Sequence, residues 1–304
     1  MLGRFSTDLS ERSARLAGIG LMLFGIWLFS FGDALGKYIV ATYSVGQLLL
    51  LRAIGALILL SPLIWHYRAS FMAIEQPWLQ LLRVVLSTLE VAAFFLSAVY
   101  LPLADIITYY LAAPIFVTAG AAFFLGEHVG WRRWTAIAVG FVGVLIALQP
   151  STQTVTWPAM IALGGSLSFA ALMLVTRLLR RSTDVVLATS QFIGTFAFGA
   201  ILAPIGWVTP PFADLGLFAL ASCISVGALL CLNRSLILAP ASVVVPYQYT
   251  MIIWAVIFGY VAFGDVPTAA TLIGAAIIIG AGFYIFLREQ RQAREEPVVV
   301  PPPG

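Results

Sequence analysis

Apolar runs of about twenty residues, each ended by a charge, a proline or a polar cluster, fill most of this 304-residue chain. They lie near 16–38, 44–66, 77–99, 103–125, 131–149, 157–178, 184–206, 213–236, 241–263 and 268–287. A helix needs ~20 mostly apolar residues to cross a bilayer, so each run is long enough to span it. Only 10 % of the residues are charged and 61 % are hydrophobic. A soluble domain carries about 25 % charged residues, so the solvent that suits this chain is lipid. Ten spans leave too little sequence for an appended catalytic domain. The fold expected is all-α and integral to the membrane.

The basic residues sit between the apolar runs, as topology signals do, so the net charge of +3 does not point to nucleic acid. With a cytoplasmic N-terminus, the inside segments hold Arg4, Arg12, Arg15, Arg68, Arg132, Arg133, Arg177, Arg180, Arg181, Arg234, Arg288, Arg291 and Arg294. That is thirteen of the sixteen Lys and Arg residues; the other three, Lys37, Arg52 and Arg83, fall within or at the edge of apolar runs. The bias places both termini inside and favours an even number of spans. The first run contains Asp33 and Lys37 and ends without a small-residue cleavage site, so it reads as a retained span. Cys223 and Cys231 stand eight residues apart in one run, ~12 Å along a helix, which is too far to bridge.

The chain also repeats itself. Pro102, Tyr109 and Gly126-Glu127 recur as Pro240, Tyr247 and Gly264-Asp265, all at one common offset along the sequence. Each copy starts on a proline, which costs nothing at a helix start, and closes on glycine followed by an acid. The offset holds five runs. Five is odd, so the second copy enters the bilayer from the other side. The domain plan is an N-terminal segment 1–15, five-helix repeats at 16–149 and 157–287, and a charged, then Pro-rich tail 288–304 expected to be disordered and cytoplasmic. Inverted halves are the construction of secondary transporters, in which a central site opens alternately to each side.

These features resemble the EamA-type transporters of the drug/metabolite transporter superfamily over about residues 16–287. The resemblance rests on Arg52, Arg83, the stretch from Pro102 to Pro114 with Gly126-Glu127, and Pro240, Pro246, Trp254 and Phe263-Gly264-Asp265. It implies ten spans in two inverted halves and a small-molecule substrate, with amino-acid exporters the nearest in style. A multi-pass protein of the bacterial inner membrane, working as a monomer, is expected. Phosphate-bearing cargo is normally met by paired basic residues deep in the cavity, and no clear pair is present.

A charge at mid-bilayer costs ~2.5–3.5 kcal/mol on insertion scales, so each buried one calls for a reason. Asp33 and Lys37 lie one helical turn apart, and Arg52 falls at a similar depth in the next run. They form either a structural ion-pair cluster or an outer gate, with Arg177 as the inner counterpart of Lys37. Arg83, Ser87, Glu90, Phe94 and Ser97 make one polar stripe that should face the bundle interior. Glu90 is either a site for a substrate ammonium or proton, or a structural partner of Arg83. Tyr109, Tyr110, Tyr247, Gln248 and Tyr249 cluster near Pro114 and Pro246 and read as a cavity wall or an interfacial belt. Trp27, Trp254 and Ser225 are further cavity candidates. Gly32, Gly36, Gly140, Gly143, Gly274, Gly280 and Gly282 should let helices approach closely.

No metal or nucleophile constellation accompanies these groups in the sequence. His66 and His128 both fall at cytoplasmic ends, and no cofactor, metal or enzymatic activity is expected. A channel would more often build its ring from several subunits, whereas here the symmetry lies within one chain. The expected cargo is a small neutral or zwitterionic metabolite, amino acids first, moved outward. The alternatives are uptake of a larger planar metabolite, such as a flavin or an adenosyl compound, and export of a drug cation.

Overall fold

Lipid offers no hydrogen bonds to a peptide group, so a chain of this composition must satisfy its backbone within helices. The computed structural model describes residues 2–72, 76–113, 115–117, 120, 131–148, 156–179, 182–238 and 245–295, and all regular structure among them is helical. The main helices are α1 (Leu2–Val40), α2 (Val45–His66), α3 (Pro77–Ala98), α4 (Leu103–Tyr110) and α5 (Trp131–Leu148). They are followed by α6 (Trp157–Leu178), α7 (Asp184–Leu202), α8 (Phe212–Leu238), α9 (Met251–Phe263) and α10 (Ala269–Glu295). Six of them, α1 to α3 and α6 to α8, contain stretches long and apolar enough to cross a membrane. The other four apolar segments are shorter: 103–117, 134–147, 247–263 and 269–284.

Local chemistry sets the boundaries. The Ser44 side chain accepts from the Gln47 amide at 3.2 Å and caps α2. Pro77 and Pro158 stand in the first turns of α3 and α6, where a missing N–H is harmless. Gly264 ends α9 in the left-handed region at φ 69°, with its own N–H on the Tyr260 carbonyl and the Asp265 N–H on the Gly259 carbonyl. That conformation favours glycine and aims Asp265 back across the helix end, which gives the Gly-acid punctuation of the second repeat a physical meaning. The first-repeat counterpart, Gly126-Glu127, lies outside the described residues, as do Pro114, His128 and Pro240.

Three expectations are corrected. The fourth run is not one continuous helix: α4 ends at Tyr110, and a turn at Leu111–Ala112 precedes the rest. A proline at 114 has no N–H for the Tyr110 carbonyl, which accounts for the break. The ninth run likewise opens with a 3-10 turn, Val245–Thr250, which carries Pro246, before α9 begins. Thr250 holds the place in the second repeat that Ala112 holds in the first, so the two repeats are irregular at equivalent places. Finally, α10 continues through Glu295 rather than giving way at 288, because Arg, Glu, Gln and Ala are good helix formers.

The packing carries the repeat into three dimensions. α1 packs on α8 and α9, and α6, its repeat counterpart, packs on α3 and α4. α2 packs on α8 as α7 packs on α3, while α2–α7, α4–α9 and α5–α10 pair each helix with its own counterpart. Exchanging the halves leaves this list unchanged, so the arrangement is pseudo-two-fold. Each half thus finds its main partners in the other half, not in its chain neighbours. A lone five-helix half would leave these faces bare.

Small residues make the closest crossings possible. Along α5–α10, a Cβ on Gly274 would meet the Gly143 carbonyl and Ala147 at 2.7 Å, and one on Gly143 would meet the Gly274 carbonyl at 3.0 Å. Gly32, Gly36, Gly140 and Gly282 are also in close approach, but Gly280 has nothing within 4 Å of such an atom. Gly274→Val should therefore destabilise the protein by ~1–3 kcal/mol through overpacking. Gly280→Ala should be neutral or gain up to ~1 kcal/mol from helix propensity. Thermal unfolding of both variants in detergent checks the contrast.

Candidate functional site

The polar stripe of α3 faces inward, as its 3–4 spacing requires. Arg83, Ser87, Phe94 and Ser97 are buried and Glu90 is half-buried. Arg83 does not meet Glu90. Its Nε donates to Thr176 Oγ1 at 3.0 Å and its Nη1 to the Leu187 carbonyl at 2.9 Å, while Gln80 Nε2 donates to Ser190 Oγ at 2.8 Å. Arg83 therefore ties α3 to α6 and α7.

Lys37 does not join Asp33 and Arg52 in an ion-pair cluster. Its long side chain reaches toward the helix end, where Nζ donates to Asp265 Oδ2 at 2.7 Å and to the Leu101 carbonyl at 3.0 Å. The ammonium also stands 4.7 Å from the Phe263 ring centroid. Three further ties cross between the halves at this end of the bundle. Thr271 Oγ1 donates to Asp105 Oδ1 at 2.6 Å, the Tyr43 hydroxyl donates to Asp214, and Gln47 exchanges two bonds with the Val208 backbone. Arg177 lies in the last turn of α6, and its side chain falls outside the described atoms.

With Lys37 drawn away, Asp33 on α1, Arg52 on α2 and Glu90 on α3 remain together in the interior. Both carboxylates lie within electrostatic range of the guanidinium. The Phe95 ring organises the place: it packs against Gly36 of α1, and the Arg52 guanidinium stands 4.9 Å from its centroid. Among the described residues Lys37–Asp265 is the one ion pair, so Arg52 forms no salt bridge with either carboxylate. Arg52 Nε is buried without a hydrogen-bond partner. All three residues are half-buried. At the repeat offset the second half has Ala171, Ser190 and Ala228, so this charge belongs to one half alone.

Aromatic groups adjoin the charges. The Tyr110 hydroxyl donates to the Glu90 carbonyl at 3.0 Å, its ring meets Phe94 edge-on at 5.4 Å, and Phe169 of α6 lies 6.3 Å away. Gly165 makes room for that hydroxyl, since a Cβ there would overlap it. Tyr110 and Phe169 keep accessible surface, whereas Tyr109 and Phe94 are buried packing residues. The Tyr109 carbonyl accepts from Ser166 at 2.8 Å. Trp27 and Trp254 are placed elsewhere. They belong to a ladder, Phe24–Trp27–Phe31–Phe258–Trp254, along the α1–α9 seam, next to exposed Phe24, Ile257 and Val261. Tyr247 packs on Met22 and Ile26, Gln248 is half-buried in the 3-10 turn, and Ser225 Oγ donates to the Ala221 carbonyl of its own helix. A groove lined by Thr135, Ala136, Val139 and Tyr284 lies on the α5–α10 flank, on helices that do not carry these charges.

Sequence reasoning did not single out Asp105, Phe95 or Phe169, and it quoted Asp265 only as punctuation. Phe169 had a readable signal, because it is the second-repeat counterpart of Phe31 at the same offset.

The pseudo-two-fold bundle with interior charges is a construction that secondary transporters use. The chain matches the EamA-like transporter family over residues 16–149 and 156–287 and belongs to it. It is therefore a multi-pass membrane protein of a transporter family, not an enzyme. It is 30 % identical over 236 residues to a riboflavin transporter of Rhizobium johnstonii, covering 77 % of this chain and 78 % of that one. It is 26 % identical over 279 residues to an S-adenosylmethionine uptake transporter of Rickettsia felis, covering 91 % and 94 %. A protein of known crystal structure shares the fold at a TM-score of 0.61 and 15 % identity, over 92 % of this chain and 99 % of that one.

The Lys37–Asp265 pair yields a direct test. Asp265→Asn should cost ~1.5–3 kcal/mol, the range of a charge-assisted bond. Lys37→Asp and Asp265→Lys should each lose at least as much, and the exchange of both should recover more than half of their summed loss. Thermal unfolding of the two single variants and the double variant, read as a double-mutant cycle, supplies the coupling energy.

Proposed function

We propose that this chain is a secondary carrier of ten spans, in two five-helix halves inverted in the bilayer with both termini cytoplasmic. Its cargo is a planar, ring-bearing metabolite of the flavin or adenosyl kind, taken up by alternating access. The observation that carries this reading is the interior site itself, where Asp33, Arg52 and Glu90 adjoin the accessible rings of Tyr110 and Phe169. Rings receive a flat heterocycle by stacking or edge contact, and the charges orient its polar end. Relatives named for riboflavin and for S-adenosylmethionine support the same size and shape of cargo.

Amino-acid export, the first expectation from sequence, recedes for two reasons. A small amino acid leaves the aromatic part of the site unused, and uptake stands in the names of the adenosyl relatives. Interlocked halves suit alternation, since moving one half against the other repacks cross-half contacts at both ends. The ion pair and the three further ties at the Lys37 end would then close the outer face, and the Arg83 ties would hold the inner one.

Reconstituted vesicles test the proposal. Labelled riboflavin or S-adenosylmethionine should enter with saturable kinetics, and neither leucine nor phenylalanine should compete at tenfold excess. Saturable amino-acid flux without flavin or adenosyl uptake would restore the export reading. Repeating the assay with and without a pH gradient separates proton coupling from downhill flux.

A further inference from the structure

The interior charges are unequal, and the inequality specifies a ligand. Asp33 and Glu90 contribute two carboxylates, and Arg52 one guanidinium. Nearby cations do not join the cluster, because Lys37 is paired with Asp265 and Arg83 is turned to Thr176 on α6 and the Leu187 carbonyl on α7. With both carboxylates ionised the cluster carries a net charge of −1, which either a cationic ligand or a proton on one carboxylate would balance. Charges inside a bilayer are expensive unless compensated, and each uncompensated one costs several kilocalories per mole. Within the described structure the Arg52 guanidinium, the Asp33 carboxylate and the Glu90 carboxylate accept or donate no hydrogen bond, and Arg52 Nε is buried without a partner. Three charged groups on three helices lie close enough to interact without forming a salt bridge with one another.

Resting on the carrier reading above, we propose that Asp33, Arg52 and Glu90 form a recognition site for an amino acid that carries a second cationic centre, with net charge +1, and an attached planar ring. The ligand carboxylate meets Arg52, whose planar fork suits a two-oxygen anion. The ligand ammonium and its second cation, a sulfonium or an ammonium, meet Asp33 and Glu90. The ring lies against Tyr110 and Phe169, which the Tyr110 hydroxyl on the Glu90 carbonyl holds next to the charges. Occupied in this way the site is neutral, and every charged group has a partner. A neutral flavin leaves the excess charge in place, as does a simple zwitterion. The second repeat contributes Ala171, Ser190 and Ala228 at the corresponding positions and adds no competing charge.

Two probes separate the charge from everything else about the ligand. S-adenosylmethionine and S-adenosylhomocysteine share the ring, the sugar and the amino-acid group, and differ in the charged sulfonium with its methyl. Competition against labelled S-adenosylmethionine in vesicles should favour the sulfonium compound at least tenfold over the thioether. Glu90→Gln and Asp33→Asn should each bring that ratio to within about twofold. Arg52→Gln should weaken both compounds at least tenfold, with partial recovery in Arg52→Lys. The ratio is taken within one preparation, so it does not depend on how much of a variant folds. A wild-type ratio near one, or a tenfold ratio that survives in both carboxylate variants, overturns the charge assignment. Riboflavin uptake without adenosyl uptake overturns this site proposal and leaves the carrier reading standing. Uptake of neither class overturns both.

Discussion

A charge held in lipid has to be compensated, and this chain places three of them where no neighbouring side chain completes the task. Asp33, Arg52 and Glu90 come from three successive helices and meet around Phe95. To bring them together, α1 to α3 must sit side by side with their polar positions turned inward. α6 to α9 must then close the bundle from the other half. The opposing costs explain why the surrounding structure is so ordered. Burying the three groups is unfavourable by several kilocalories per mole, and the packing of the two halves offsets it.

That packing is almost entirely between halves, which couples the site to both ends of the molecule. At one end Lys37–Asp265, Asp105–Thr271, Tyr43–Asp214 and Gln47–Val208 all cross from the first repeat to the second. Toward the other end Arg83 and Gln80 make the same crossing. Under the carrier proposal, a relative movement of the halves would loosen one set of ties and repack contacts near the charges. The interrupted segments at 111–112 and 245–250 lie just after α4 and just before α9, the self-paired counterparts beside the site. Irregular backbone within a membrane needs partners other than lipid for its peptide groups.

Much of the helical architecture was legible because hydrophobic runs and proline-glycine punctuation are local signals. The polar stripe of α3 was readable from its 3–4 spacing, and all its members turned inward. Partner choice was less legible. Lys37 sits one turn from Asp33, which suggests an ion pair, yet a flexible side chain near a helix end reaches Asp265 in the far repeat. Asp265 becomes available to it through the left-handed Gly264, and that geometry shows only in three dimensions. Trp27 and Trp254 carry a related ambiguity. A tryptophan in an apolar helix serves a cavity wall and a lipid-facing seam equally well, and only the neighbouring faces distinguish the two. Phe169 was overlooked because a single Phe in an apolar run carries no polar mark.

The central claim is that two interlocked halves carry a substrate through one interior site. Counterflow tests this most directly. Vesicles preloaded with unlabelled S-adenosylmethionine or riboflavin and diluted into a trace of labelled compound should show a transient overshoot of internal label, as an alternating site requires. A linear, unsaturable rise to equilibrium without overshoot, for both compounds, would contradict the account.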